Sequence, residues 1–557
     1  MPALPPMSSR LWLWLLLAVL GGAFLLNLNA WGVLESSEAR YAEIGREMLA
    51  GGDWLHPRLL GIQHFHKPPL TYWLTAVGLG LFGGTAGAVR LLPVLAVLAQ
   101  VALVYALGLL VFARDRRRAL AAAVVYATLP VVLISALNVT TDAYLATLEL
   151  LAAYAFLRYH CTPAGRPAAR WLYLGWVALG LGFLTKGPVA VVLPAMVVIG
   201  QHLTKGSPRR AWNWHHLAAG LLFALVGLSW YLVLVADNPA FVRYFLFEHT
   251  VERFANAATF NRAKPWWFYL VLAPVGALPW SAALITELVR TGWRGLGRRW
   301  QPVLLWWVLV PLLFFSLSKS KLLLYVLPIF PGVALLTVEL LGRRTDAVLL
   351  RWYVGFMALF GLLLGGLCLL PLLGVGYGLV VAPWTALWPA AGLLVLLFTH
   401  MFWDEVRVAP RLLVLTVLFT AGLLAAAKPI LGQIEARANG SRPVAQRLKE
   451  LNLADRPVLI YNELLPSLAF AQRRLPVSLY DGNQALQRET QFEHGPAWHQ
   501  NLINLQDPAD TTVLGPLLRR HPVLLVKGEL PAEREYLRRR LPQHEHVGPW
   551  TIFYGRW

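Results

Sequence analysis

Cysteine is almost absent. Only Cys161 and Cys368 occur in 557 residues, which excludes a disulfide framework and any zinc site built on several thiolates. Charge is scarce too, at 14% of residues against 57% hydrophobic, a balance that excludes a soluble globule and indicates a polytopic membrane protein. Acidic residues are the rarer sign, 29 against 49 Lys and Arg, for a net charge of +20. In so apolar a chain the excess reads as basic cytoplasmic loops beside anionic membrane lipid. Nucleic acid is not an expected partner, because the basic residues are scattered through short loops and line no single face. A nucleotide-binding glycine loop, an internal repeat and a low-complexity tract are also lacking.

Apolar runs are what the chain has in quantity. Arg10 precedes a run from Leu11 to about Leu28 without a small-residue cleavage site, which reads as a retained transmembrane helix and not a signal peptide. With about 20 apolar residues needed per span, spans are expected near 11–31, 88–112, 119–137, 142–159, 170–186, 188–204, 215–236, 268–290, 301–317, 322–341, 350–373, 383–402 and 411–430, about 13 in all. With the N-terminus inside, the short inner segments carry about 20 Lys and Arg and the longer outer loops before the last helix about 11, the bias of the positive-inside rule. The run Thr71–Gly84 is too short for a comfortable span and reads as an interfacial helix. Counting it as a span would reverse the bias. Arg40 to Leu49 reads as a short amphipathic helix, with Tyr41, Ile44 and Met48 on one side and Glu43, Arg46 and Glu47 on the other.

The expected division is a membrane part over 1–435, with a first outer loop at 32–87, and a small extracytoplasmic α/β domain over 436–557. In the latter, VAQRLKEL reads as a helix, and PVLIYNE, LPVSLYD, PVLLVK and TIFYGRW read as short strands.

This topology gathers the unusual polar residues on the outer side. They are the Glu35–Lys67 stretch, the turn NVTTD ending at Asp142, Lys186 in FLTKGP, the loop FLFEHTVERF with His249 and Arg253, and SKSKLLLY with Lys319, Lys321 and Tyr325. Ionisable groups beside a bilayer mark function, and these would line one cavity as acids, cations and histidines. Each has a plainer reading: Lys and Arg snorkel to headgroups, Asp142 caps the helix it opens, and Lys186-Gly187-Pro188 marks a helix junction. Glu149 and Glu339 read as packing partners.

The segments SEARYAEIGREML with GDW, FHKPPLTYW, VTTDAYL, FLTKGPVAV, FLFEHTVERF and SKSKLLLYVLP, in that order, resemble the bacterial lipid A aminoarabinose transferases. That family sits within the protein-mannosyltransferase-like group of GT-C membrane glycosyltransferases. The resemblance implies an inner-membrane enzyme that moves a sugar, with inversion, from a polyprenyl-phosphate donor to a lipid, glycan or protein acceptor on the periplasmic side. Lipid A or another glycolipid is the acceptor it favours. An outer carboxylate would take the acceptor proton, and fixed cations would hold the departing phosphate, with Arg40, Lys67, Lys186, Arg253 and Lys321 as candidates and Tyr325 as a further phosphate- or lipid-binding residue. The family's first motif begins Asp-Glu, whereas this chain has Ser37-Glu38, so Glu38 or Glu35 would serve as base. The family's FEKP is FHKP here, so a zinc site would use His66, Asp142 and His249, all ordinary zinc ligand types. The transfer chemistry itself requires no cofactor. A transporter or flippase of lipid-linked sugars, and a protein O-mannosyltransferase-like activity, remain as alternatives.

Overall fold

The computed structural model describes residues 8–35, 37–163, 166–205, 212–245, 264–292, 296, 300–376, 381–402, 406–433, 435, 439–483, 486 and 490–555. These fall into two compact units, one drawn from Met1–Leu26, Pro93–Leu372 and Pro383–Ala426, the other from Asn27–Leu92, Leu373–Ala382 and Ala427–Trp557.

The first unit is helical. It includes α1 (Ser9–Leu25), most of α4 (Ala86–Val111), α5 (Arg116–Ala127), α6 (Pro130–Leu137), α7 (Thr141–Cys161) and α8 (Ala169–Lys186), followed by further apolar helices to Val408–Gln433. Each stretch expected to span holds a helix or a pair of helices. Among the described residues five helices are long and apolar enough to cross a membrane, or up to eight if each bent pair is one span. The breaks have local causes. α5 and α6 meet at 62° where Leu129-Pro130 interrupts the ladder, and Phe268–Gly276 turns by 110° into Trp280–Thr291 across Leu278-Pro279. Two ionic clusters are buried among these helices. Glu339 takes Arg118 and Arg343, and Glu287 takes Arg290 and Arg344, so Glu339 is an ion-pair centre as well as a packing partner.

The second unit contains α2 (Ser37–Gly51), the two-residue strands β1 (Arg58–Leu59) and β2 (Ile62–Gln63), α3 (Leu70–Phe82) and a six-stranded sheet. The sheet strands are β3 (Val458–Tyr461), β4 (Val477–Tyr480), β5 (Leu502–Asn504), β6 (Val523–Lys527), β7 (Gln543–Val547) and β8 (Trp550–Tyr554), ordered β5-β4-β3-β6-β8-β7. The four strands read from the sequence are β3, β4, β6 and β8. β5 has only three residues, and β7 (QHEHV) is too polar to read as buried. β7 is an edge strand, where charge deters pairing with another chain. β3 pairs in parallel with β4 and β6, so it is covered on both faces and apolar throughout. Val458 and Ile460 pack with Leu448 of the helix Arg442–Glu450 on one face, and Leu459 and Tyr461 pack with Leu479 and Leu514 on the other. This unit thus joins the sheet to 27–92, which the sequence reading assigns to the membrane part.

α2 is more deeply buried than its amphipathic pattern suggests. Tyr41, Ile44 and Met48 are buried as expected, but Glu43, placed by the sequence on the polar side, is 0% exposed. Between β1 and β2 the chain turns through Leu60 and Gly61, both left-handed, with φ 53° and 78°. A two-residue hairpin turn needs this conformation, and a leucine adopts it at a cost. Glu47 offsets that cost, its carboxylate accepting from the Leu60 and Gly61 amides at 2.6 and 2.8 Å. A Cβ on Gly61 would lie 2.2 Å from Asn501 Nδ2, whereas one on Gly52, also at positive φ, would meet nothing. Gly52→Ala is therefore expected to cost about 1–2 kcal/mol from backbone strain alone, and Gly61→Ala distinctly more. Thermal unfolding of the two variants side by side checks the difference.

Candidate active site

The sequence-expected residues divide between the two units, and each set has its own geometry. Glu35, Glu38, Arg40, His66 and Lys67 belong to the second unit, and Asp142, Lys186, Lys321 and Tyr325 to the first. His249 and Arg253 lie outside the described residues.

In the second unit the two candidate bases differ sharply. Glu38, in the first turn of α2, is 5% exposed and faces Arg90, which is 0% exposed. Arg90 Nε donates to Glu38 Oε1 at 2.8 Å and Nη2 to Oε2 at 2.8 Å. Oε2 also accepts from the Leu34 amide at 2.9 Å. The remaining guanidinium hydrogens go to the carbonyls of Leu28, Trp31 and Gly32 at 2.7 to 2.9 Å, and the Trp31 ring lies 4.6 Å from the Arg90 carbon. All five donors are satisfied, the condition under which a buried charge is tolerated. Both Glu38 oxygens are engaged, so its main work is to hold the chain from Leu28 to Leu34 around Arg90. Sequence reasoning missed Arg90. Its signal was an arginine in the first turn of an apolar helix.

Glu35 is differently placed. Its Oε1 accepts from the Ser467 amide at 2.7 Å. It lines a cavity of about 370 Å³ with Arg40, Glu463, Lys527 and Trp550. Burial raises its pKa to about 7, against the lowering effect of Ser467 and Arg40. Glu43 is also raised by burial, to about 8, despite Arg46 donating to its two oxygens at 2.8 and 2.6 Å. His66 precedes Lys67 in the chain leading to α3, and its ring lies 4.1 Å from that of His64.

In the first unit, Thr140 and not Asp142 caps α7, its side chain accepting from the Asp142 amide at 3.2 Å. That leaves the Asp142 carboxylate for Lys186, whose Nζ donates at 2.5 Å. Lys186 is the last residue of α8. Gly187 follows at φ 75°, the left-handed step that ends a helix. Lys186 Nζ also sits 3.9 Å from the Tyr325 ring centre, within cation–π range. Glu149, two turns along α7 from Asp142, is buried with Oε2 lacking a hydrogen-bond partner. Lys321 is buried and bonded to the carbonyls of Ser318 and Lys264, an arrangement that clasps its loop.

Of the zinc set, His66 and Asp142 are described and His249 is not. Among the described residues no three His, Cys, Asp or Glu side chains are grouped to hold a metal. Zinc at Asp142 would compete with the Lys186 ammonium for the same carboxylate. With His249 outside the described residues, the expected set is represented here by His66 and Asp142 alone.

The family model of dolichyl-phosphate-mannose-protein mannosyltransferases matches residues 10–245. An undecaprenyl phosphate-alpha-4-amino-4-deoxy-L-arabinose arabinosyl transferase of Sodalis glossinidius is 33% identical over 543 residues, covering 95% of this chain and 88% of the relative. The Pseudomonas aeruginosa protein of that name is 35% identical over 503 residues, covering 85% and 86%. The chain belongs to this arabinosyl transferase family. It is a membrane glycosyltransferase using a lipid-phosphate-linked sugar donor. The crystal structure of ArnT from Cupriavidus metallidurans bound to undecaprenyl phosphate superposes with a TM-score of 0.78 at 22% identity, covering 98% of each chain. The fold is therefore that of the GT-C membrane glycosyltransferases.

Two outcomes follow from the buried charges. Arg90→Met leaves Glu38 buried without its partner and is expected to cost about 3–5 kcal/mol, read as a large fall in thermal midpoint. Glu35 and Glu43 hold their protons more tightly folded than unfolded, so the stability they contribute is full below about pH 4.5 and is lost as pH rises through about 7 and 8. Thermal midpoints measured across that range should fall, and Glu43→Gln should flatten the fall.

Proposed function

We propose that this protein transfers 4-amino-4-deoxy-L-arabinose from undecaprenyl phosphate to lipid A or a closely related glycolipid. Its 33% identity to an arabinosyl transferase over 95% of the chain carries this reading. The protein sits in the bacterial inner membrane with about 13 spans, and its acceptor side faces the periplasm together with the C-terminal α/β domain, 436–557, an orientation supported by the charge of its loops.

An acceptor oxygen forms a bond to the anomeric carbon from the face opposite the donor phosphate. The bond from that carbon to the phosphate oxygen breaks, the electron pair leaves with the lipid phosphate, and configuration inverts. Where the acceptor is a hydroxyl, Glu35 takes its proton. A carboxyl with a pKa of about 7 is ionised over the upper half of the physiological range and basic enough to accept a proton there. Ser37, at the position where the family carries aspartate, has no such capacity. Lys186, steadied by Asp142 and Tyr325, supplies fixed positive charge for the departing phosphate. Arg40 and Lys67 are further candidates for holding the donor phosphate.

The test is transfer from purified undecaprenyl-phosphate aminoarabinose to lipid A. Wild type is expected to show a rate that rises with pH through about 7. Glu35→Gln should lose about 100-fold or more and the rising limb with it. Lys186→Ala should lower kcat. Full activity in Glu35→Gln would remove Glu35 as base. Absence of transfer with any acceptor, alongside movement of the donor across liposomes, would place the transporter reading first.

A further inference from the structure

A second cavity of the sheet-bearing unit, about 690 Å³, has no part in the chemistry above. Its walls include Gly84 and Thr85, immediately before α4, together with Arg442, Lys449, Gln472 and Arg473. No acidic side chain is among the described residues that line it. Arg442 is held by Glu435 at 2.5 Å, so the uncompensated charge comes from Lys449 and Arg473, both exposed. Among the described residues Gln472 Nε2 is buried without a hydrogen-bond partner, a donor beside the cationic wall. An unsatisfied buried donor carries a desolvation cost that an oxygen-rich ligand would relieve.

Two local features shape the cavity wall. Arg473 stands in the left-handed conformation, φ 55°, at the end of the helix Pro466–Gln472. Its guanidinium lies so close to Gly84 that a Cβ there would fall 3.0 Å from Nη2. The cavity floor is the start of α4, a 26-residue apolar helix. The N-terminal end of such a span lies at headgroup depth; its Gly87 and Ala88 amides already donate to Asn29 Oδ1 and Thr85 Oγ1, so an anion here would be held by side chains.

We propose that this cavity binds the phosphate monoester of a membrane lipid headgroup. The cations give the charge, Gln472 the neutral donor, and the depth of α4 the lipid origin. Within the transferase reading, on which this meaning rests, the cavity is the holding point of a phosphorylated acceptor lipid.

The experiment titrates full-length protein in nanodiscs with dioctanoyl phosphatidic acid, inorganic phosphate and dioctanoyl phosphatidylcholine. Wild type should bind phosphatidic acid, more weakly as salt rises, and phosphatidylcholine at least 10-fold more weakly. Lys449→Ala and Arg473→Ala, both at exposed positions, should each weaken phosphatidic acid binding by about 10-fold. Gln472→Leu should weaken it less. In transfer assays Lys449→Ala should raise KM for the acceptor with kcat unchanged. Equal binding of inorganic phosphate and phosphatidic acid, lost in the same variants, would keep the anion site and overturn its lipid origin. Equal binding of phosphatidic acid by wild type and both cationic variants would overturn the proposal. Because titration needs no catalysis, loss of binding in the variants alongside absent transfer in wild type would sustain the site and sink the transferase reading.

Discussion

The guanidinium of Arg90 is the fixed point of the sheet-bearing unit. It is a permanent charge with no exposure, and it is tolerable only because a carboxylate and three carbonyls absorb every hydrogen it carries. Those acceptors come from Leu28, Trp31, Gly32 and Glu38, so the first turn of α4 dictates the path by which the chain leaves α1 and enters α2. Lysine could not replace it, having three donors and no planar fork. The position of Glu35 follows from this clasp, since it lies between Gly32 and Glu38.

The carboxylates of this unit illustrate how environment assigns roles to one chemical group. Glu38 is saturated by arginine and positions backbone. Glu47 accepts two amides and props up a turn containing a left-handed leucine. Glu35 and Glu43 are raised by burial into the range where protons are exchanged near neutrality. Glu35 also lines a cavity together with Arg40 and Lys527. The serine at position 37 therefore does not leave the unit without a basic carboxylate.

The helices were legible because apolar runs report themselves, and the central strands because burial on both faces demands uninterrupted Val, Leu and Ile. What could not be read were pairings. Glu43 was placed on a polar face by its periodicity, yet packing closes over that face too. Arg90 sat inside an apolar run where a cation looks like an interfacial residue, and its four partner residues lie more than 50 residues away. Asp142 read as a cap, but Thr140 two residues earlier takes that duty, a distinction that depends on backbone dihedrals. The cavity beside α4 was invisible because its walls come from both ends of the chain.

That last property has a consequence for the order of synthesis. Glu35 meets Ser467 across 432 residues, and Arg58 meets Glu493 across 435. Translation delivers the segment 27–92 long before the residues that bury it exist. Until then Glu35 is an ordinary solvated carboxylate with no elevated affinity for protons. The burial that raises the Glu35 carboxyl, on which its proposed role as base rests, is thus complete only once the sheet-bearing segment has been made. A chain truncated before the sheet would leave Glu35 without its Ser467 contact.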